Sequence, residues 1–479
     1  MKKKKIYLEV VIFINVLSLI TAFLLQPKQY SFFDDISLQF FSYIYLINLF
    51  LYFYVVRKYF YNWFRYDVLF LIGFLIVHFQ IPFFASYGFE PVDGNQIWIN
   101  KNVVNYAVWL SAICGLIWML GFLFYLNKKK KKPSKLIVPI NIPFVKTLSI
   151  DTIISILFLV FLILVGNEFL SGAYDGFRNW GTGATYVYLI LSALIKLRTI
   201  YMFTNAYLLN RINLTHLLSN NKLFLLNLIP YILIFMLSSD RGEIITIGTI
   251  IIGSFSLLKR KVSFNKILLM IFLGGVFFTI LKFGRTDNLS QIKKSNNVIE
   301  RGIDNFSRDD SFNPTYELAT SQRNLNRALN TIPNKQPYFL GLTHFGNLMG
   351  VLPLIGSWIL ETIGIPFQYH SSSTLFSYWD QGVNIKSGVG SEIIADSYIN
   401  YGTYVTIFIF ILFGYFIGYM QMKVYLNPSF IFLIVYLIFL SDSLYMNRAV
   451  LFQPIKTLFY VLLFHFFFTR VFKHIKTIV

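Results

Sequence analysis

The chain has 479 residues, of which 56% are hydrophobic, 19% aromatic and only 13% charged. Water-soluble domains run near about 25% charged residues, so this composition excludes a soluble fold and makes a bilayer the expected solvent. A net charge of +20 would point a soluble protein toward nucleic acid. Here the basic residues fall in short segments between apolar runs, which marks membrane topology instead, and nucleic acid is not an expected partner.

In chain order, Lys2–Lys5 precede an apolar run from Ile6 to Leu25. The run is too long for a signal peptide and Gln26-Pro27-Lys28 follows without a small-residue cleavage site, so a retained first span is expected. Further apolar runs fall at roughly 36–56, 67–85, 103–126, 150–166, 185–209, 223–238, 244–258, 266–283, 402–422, 429–441 and 449–469. The expected fold is all-α and polytopic, with about twelve transmembrane helices. The single cysteine, Cys114, lies inside an apolar run, so it reads as a core residue and excludes both a disulfide framework and a thiolate metal site.

Placing the N-terminus in the cytoplasm puts 24 lysines and arginines on the inside, from Lys2–Lys5 through Lys128–Lys132 to Lys476. The short outside segments hold five: Lys28, Lys101, Arg178, Arg241 and Arg448. This asymmetry predicts cytoplasmic N and C termini. Residues 1–283 then form nine spans, 284–401 one large outer loop, and 402–479 three more spans. The loop is nearly neutral, with nine basic and ten acidic residues. Its apolar stretch Tyr338–Pro366 is broken by glycines and Pro353, which predicts short helices lying on or dipping into the membrane. An ordered loop of this length is expected to be functional.

Candidate chemistry gathers at the outer face. Ser238-Ser239-Asp240-Arg241-Gly242-Glu243 joins two apolar runs almost directly. An arginine beside a helix N-terminus suits an anion, while Asp240 suits an N-cap, and both roles are compatible. Arg178, Arg285 and Arg448 also lie outside at span ends, and such a group of arginines would suit a pyrophosphate. Lys196 and Arg198 fall within the sixth run and Lys456 within the last, either facing a cavity or sitting near a helix end. Asp34-Asp35 forms an acidic pair in the first outer segment, a catalytic candidate in a loop of only about ten residues between spans. Six histidines show no metal-ligand spacing, so no metal and no cofactor is expected. His344 and His370, in the large loop, are candidate bases. No phosphate-cradling glycine motif, serine-hydrolase motif or soluble nucleotide-binding domain is present, so a sugar donor would have to be lipid-linked.

Three stretches resemble the bacterial oligosaccharide repeat-unit polymerases of O-antigen and capsule synthesis, a family related to the O-antigen ligases. Ser239-Asp240-Arg241-Gly242-Glu243 is similar to the family's S-x-R-G turn. Gly341-Leu342-Thr343-His344 with Leu352-Pro353 is similar to its G-x-[ST]-aromatic…P pattern. Asp396-Ser397-Tyr398-Ile399-Asn400-Tyr401-Gly402 is similar to its E-x-Y-x-N-F-G stretch before a late span. Leu354 stands where the family often has arginine, Asp396 or, displaced, Glu392 where it has glutamate, and His344 where it has an aromatic residue.

The resemblance implies an enzyme of the bacterial cytoplasmic membrane. It would polymerise polyprenyl-pyrophosphate-linked repeat units at the outer face and take lipid-linked oligosaccharides as donor and acceptor. Chain-length regulators and flippases are the protein partners it implies, with membrane lipids around it. Arg241, supported by Arg178, Arg285 and Arg448, would hold the pyrophosphate. Glu243, His344 and Asp396 are the base candidates, with Asp240, Gly242, Tyr398, Asn400 and Gly402 as motif residues. The alternatives are a ligase-like or other lipid-sugar glycosyltransferase, and a lipid-oligosaccharide flippase or other transporter. Flippases normally lack an outer loop of this size.

Overall fold

The computed structural model describes residues 2–91, 94–128, 147–170, 182–209, 211–238, 240–284, 298–306, 313–352, 354–385, 387–426 and 429–471. Among them the secondary structure is helical, without a β-strand. Every predicted apolar run coincides with a helix. These are α1 (Lys2–Leu24), α2 (Asp35–Val56), α3 (Tyr66–Ala85), α4 (Val104–Lys128), α5 (Leu148–Leu170), α6 (Thr182–Leu208), α7 (Lys222–Leu237), α8 (Arg241–Leu258) and α9 (Phe264–Phe283). The chain then forms α10 (Val298–Phe306), α11 (Tyr316–Ala319), α12 (Gln322–Thr331), α13 (Leu342–Met349), α14 (Ile355–Thr362) and α15 (Ser372–Gln381). It ends in α16 (Ile393–Leu426), α17 (Phe430–Asp442) and α18 (Gln453–Val471).

Nine of the described helices are long and apolar enough to cross a membrane: α1–α6, α8, α9 and α16. α7 and α17 are apolar but shorter, at 16 and 13 residues. The chain is an all-helical, multi-pass membrane protein.

Local chemistry sets several helix starts. Asp34 caps α2, its carboxylate accepting from the backbone N–H groups of Ile36 (3.3 Å) and Ser37 (3.1 Å). Ser371 caps α15 and Ser429 caps α17 in the same way. The acidic pair Asp34-Asp35 thus begins a helix.

The centre of the bundle is α4, buried on nearly every face and packed along α16. Two glycines let the backbones meet: a Cβ at Gly121 would overlap the Ile411 carbonyl, and one at Gly414 the Trp118 carbonyl. Interior charges are paired, as a low-dielectric core requires. The Nε of Arg65 lies 2.9 Å from Asp67, and that of Arg198 lies 2.6 Å from Asp151.

α16 begins at Ile393, nine residues ahead of its apolar run, so the segment Asp396–Tyr401 is helical. Glu392 caps it by accepting from Ile394 N and Ala395 N, both at 2.7 Å. Gly402 breaks the helical path with φ 76° and ψ −175°, a conformation open essentially to glycine alone. The break leaves carbonyls of the preceding turn open. Those of Ile399 and Asn400 accept from Phe339 N and Leu340 N, each at 3.0 Å, which ties the loop segment before α13 to the bend.

The broken apolar stretch of the large loop forms α13 and α14, short helices as expected. α14 buries Gly356 and Leu360 and exposes Ile355 and Trp358, the pattern of a helix lying in a membrane interface.

Candidate functional site

The α7–α8 junction places two opposite charges on different sides of one helix start. Asp240 is the N-cap, accepting from Gly242 N at 3.2 Å, as its sequence position suggested. Arg241 turns toward α9 and α11. Its two terminal nitrogens grip both carboxylate oxygens of Glu317, and one also donates to the Phe278 carbonyl at 3.3 Å. Its Nε, buried, has no hydrogen-bond partner among the described residues. Arg448, from the 3-10 turn Tyr445–Arg448 between α17 and α18, lies 3.6 Å from the same Glu317. Two of the four predicted arginines therefore meet across one carboxylate. Arg178 and Arg285 lie outside the described residues.

Glu243 turns the other way, into the bundle. It accepts from Tyr188, from Ser192 at 3.1 Å, from Lys196 at 3.2 Å and from Tyr231 at 3.3 Å. Lys196 therefore faces a buried carboxylate. A carboxylate has about four acceptor positions, and four donors converge on this one. Its chemistry is that of a clamped anion, and as a base it would have to release those donors.

His344 and Asp396 come together from positions far apart in sequence. His344 Nε2 lies 2.9 Å from Asp396, and its Nδ1 lies 3.2 Å from the Tyr401 hydroxyl. Asp396 also accepts from Leu451 N at 2.8 Å. Both ring nitrogens are thus engaged inside the protein. Three motif residues act on the backbone. Tyr398 donates to the Ile332 carbonyl at 3.1 Å. Asn400 donates to Thr343 and to the Asp396 carbonyl, each at 2.7 Å. Gly402 makes the bend. The third motif is a structural clamp on the large loop.

Two cavities meet at this junction. An apolar groove of about 250 Å³ runs between α8 and α9, lined by Gly248, Ile252, Met270, Gly274 and Phe278, with Arg241, Glu317 and Arg448 as its charged lining. A more polar cavity of about 560 Å³ is lined by Gly242, Glu243, Asn347, Ser373, Lys456 and His370. Ile245, Tyr445 and Arg448 line both. Lys456 therefore faces the cavity, whereas Lys196 pairs with Glu243 and lines neither cavity.

The polar cavity is lined by His370, the sequence's other histidine base candidate, which the resemblance leaves out in favour of Glu243, His344 and Asp396. His370 Nε2 lies 3.2 Å from the Ile365 carbonyl. A carbonyl only accepts, so Nε2 carries the proton and Nδ1 of the neutral ring keeps its lone pair. His344 and Asp396 do not line either cavity. In sequence both histidines were legible as loop residues; only the fold separates the one bound on both sides from the one facing the cavity. Glu317 was not legible, because its partners are 76 and 131 positions away and no local spacing marks it.

Among the described residues no group of three or more His, Cys, Asp or Glu side chains is placed to hold a metal ion. Comparison with known proteins gives no matching family model, no matching curated protein and no matching solved structure.

Proposed function

We infer that this protein is a glycosyltransferase that polymerises lipid-diphosphate-linked oligosaccharides at the outer face of the bacterial cytoplasmic membrane. In this reading the chain has twelve spans, both termini are cytoplasmic, and residues 284–401 lie outside. One observation carries it: an apolar groove between two membrane-length helices reaches a pair of arginines, and one of those arginines also lines a polar cavity. The groove suits a polyprenyl chain, the arginines its diphosphate and the cavity the sugars. An acceptor lipid-linked oligosaccharide is the second substrate, and flippases and chain-length regulators are the natural neighbours in a membrane.

The reaction needs little from the protein. The acceptor hydroxyl oxygen bonds to the anomeric carbon of the donor sugar as that carbon's bond to the phosphate oxygen breaks. The lipid diphosphate leaves with one more negative charge than it carried as an ester. Arg241 and Arg448 stabilise that charge where it develops. The hydroxyl proton passes to His370 Nδ1, which borders the cavity as His344 and Asp396 do not, and which is not held by the donors that clamp Glu243.

Purified protein in detergent should extend a lipid-diphosphate-linked repeat unit without ATP. Arg448→Ala should lower the rate at least about 100-fold, the scale of one lost charge-stabilising donor. His370→Asn should lower kcat by about 100-fold with a smaller change in KM. In cells both variants should leave single repeat units at the outer face. Units trapped on the cytoplasmic face would make transport the better reading, and transfer to a different acceptor a ligase.

A further inference from the structure

Arg241, Arg448 and His370 have places in that reaction, but Glu317 does not. It occupies the position where the phosphates belong. Its two oxygens sit in the fork of Arg241, the same two-point geometry by which guanidinium recognises phosphate, and Arg448 stands 3.6 Å away. Arg241 is 7% exposed, so without an anion its charge would be stranded in a medium that penalises it. Glu317 supplies that anion in the resting protein.

The backbone under Glu317 is anchored. Thr315, two residues earlier, donates to Gln80 of α3 at 2.8 Å, and Gln80 donates to Asn313 at 3.0 Å. The side chain is therefore the part that can move, by rotation about its own bonds, while its turn stays in place. Its side chain is 19% exposed, against 8% for that of Arg241, so it has a way out that the arginine lacks.

We propose that Glu317 is a built-in competitor for the diphosphate site: it yields Arg241 and Arg448 to the lipid diphosphate on binding and reclaims them to expel the spent lipid diphosphate. The proposal rests on the reading of the two arginines as a diphosphate site. A leaving diphosphate held by two largely buried guanidiniums would dissociate slowly, and product release sets the rate of many enzymes. A tethered carboxylate at high effective concentration offsets that grip.

The test uses the full-length protein in detergent with farnesyl diphosphate as probe. The competitor role predicts that Glu317→Gln binds the probe at least tenfold more tightly than wild type, with slower dissociation. Repeat-unit extension by this variant should be slowed over many turnovers but not in the first. If Glu317 merely holds Arg241 in place, Glu317→Gln binds equally or more weakly while Arg448→Ala still loses binding, and the proposal falls while the donor reading stands. If neither wild type nor Glu317→Gln binds a diphosphate, both fall. Should Glu317→Gln fail to fold, infrared difference spectra of the wild type answer the same question. Adding the probe shifts a carboxylate band if Glu317 gives up its arginines. No shift with the probe bound overturns the proposal.

Discussion

Single residues in this protein owe their roles to partners that sequence spacing does not reveal. Arg241 was visible because a charge at a membrane boundary is conspicuous; Glu317 was invisible because its pairing is tertiary. Glu392 shows the same point in another register. It is fully buried, caps α16, and faces His78 of α3, whose Nε2 is 3.3 Å away, and Asp396 one turn along. Burial pushes its carboxyl up to about 8 from an ordinary 4.5. An acid that holds its proton more tightly when folded contributes stability that is lost as pH rises from about 4.5 through about 8. The midpoint of thermal unfolding in detergent should therefore fall across that window, and Glu392→Gln should flatten the fall. An equally steep decline in the variant would assign the effect to another group.

Among the elements, hydropathy located the apolar part of every long helix but missed the true start of α16. Asp396, Ser397 and Asn400 read as loop because polar side chains in an apolar setting are costly unless satisfied. The partners they find, His344 for Asp396 Oδ2, the Ile393 carbonyl for Ser397 and Thr343 for the Asn400 amide nitrogen, are a property of the fold. The bend at Gly402 was legible only as a glycine in a motif. Its backbone geometry makes Gly402→Ala costly, by about 1–3 kcal/mol, measurable as a lower unfolding midpoint. The Tyr338 ring also lies within 3.2 Å of where the new Cβ would sit. If backbone strain dominates, Gly402→Ala stays destabilising in a Tyr338→Ala background; full relief there would trace the cost to the ring.

For the molecule as a whole, the sequence made the class and span positions readable, since a bilayer forces long apolar helices, but not how the helices enclose space. Both cavities are built from residues of many helices and from the loop folded back on them. The orientation drawn from the lysines is open to direct measurement. In a Cys114→Ala background, a cysteine at Lys335 of the large loop should react with an impermeant maleimide on intact cells. One at Arg260, between α8 and α9, should react only after the membrane is opened. Both positions are exposed, so the reverse pattern would invert the topology.

The turn Tyr445–Arg448 is a party wall between the groove and the cavity. A change at Tyr445 or Arg448 is felt on both sides, so under the proposed function lipid preference and sugar preference cannot be retuned one at a time from these two residues. Diversification, natural or engineered, has freer ground further away: Gly248 and Met270 border the groove alone, and Ser373 and Thr457 the cavity alone.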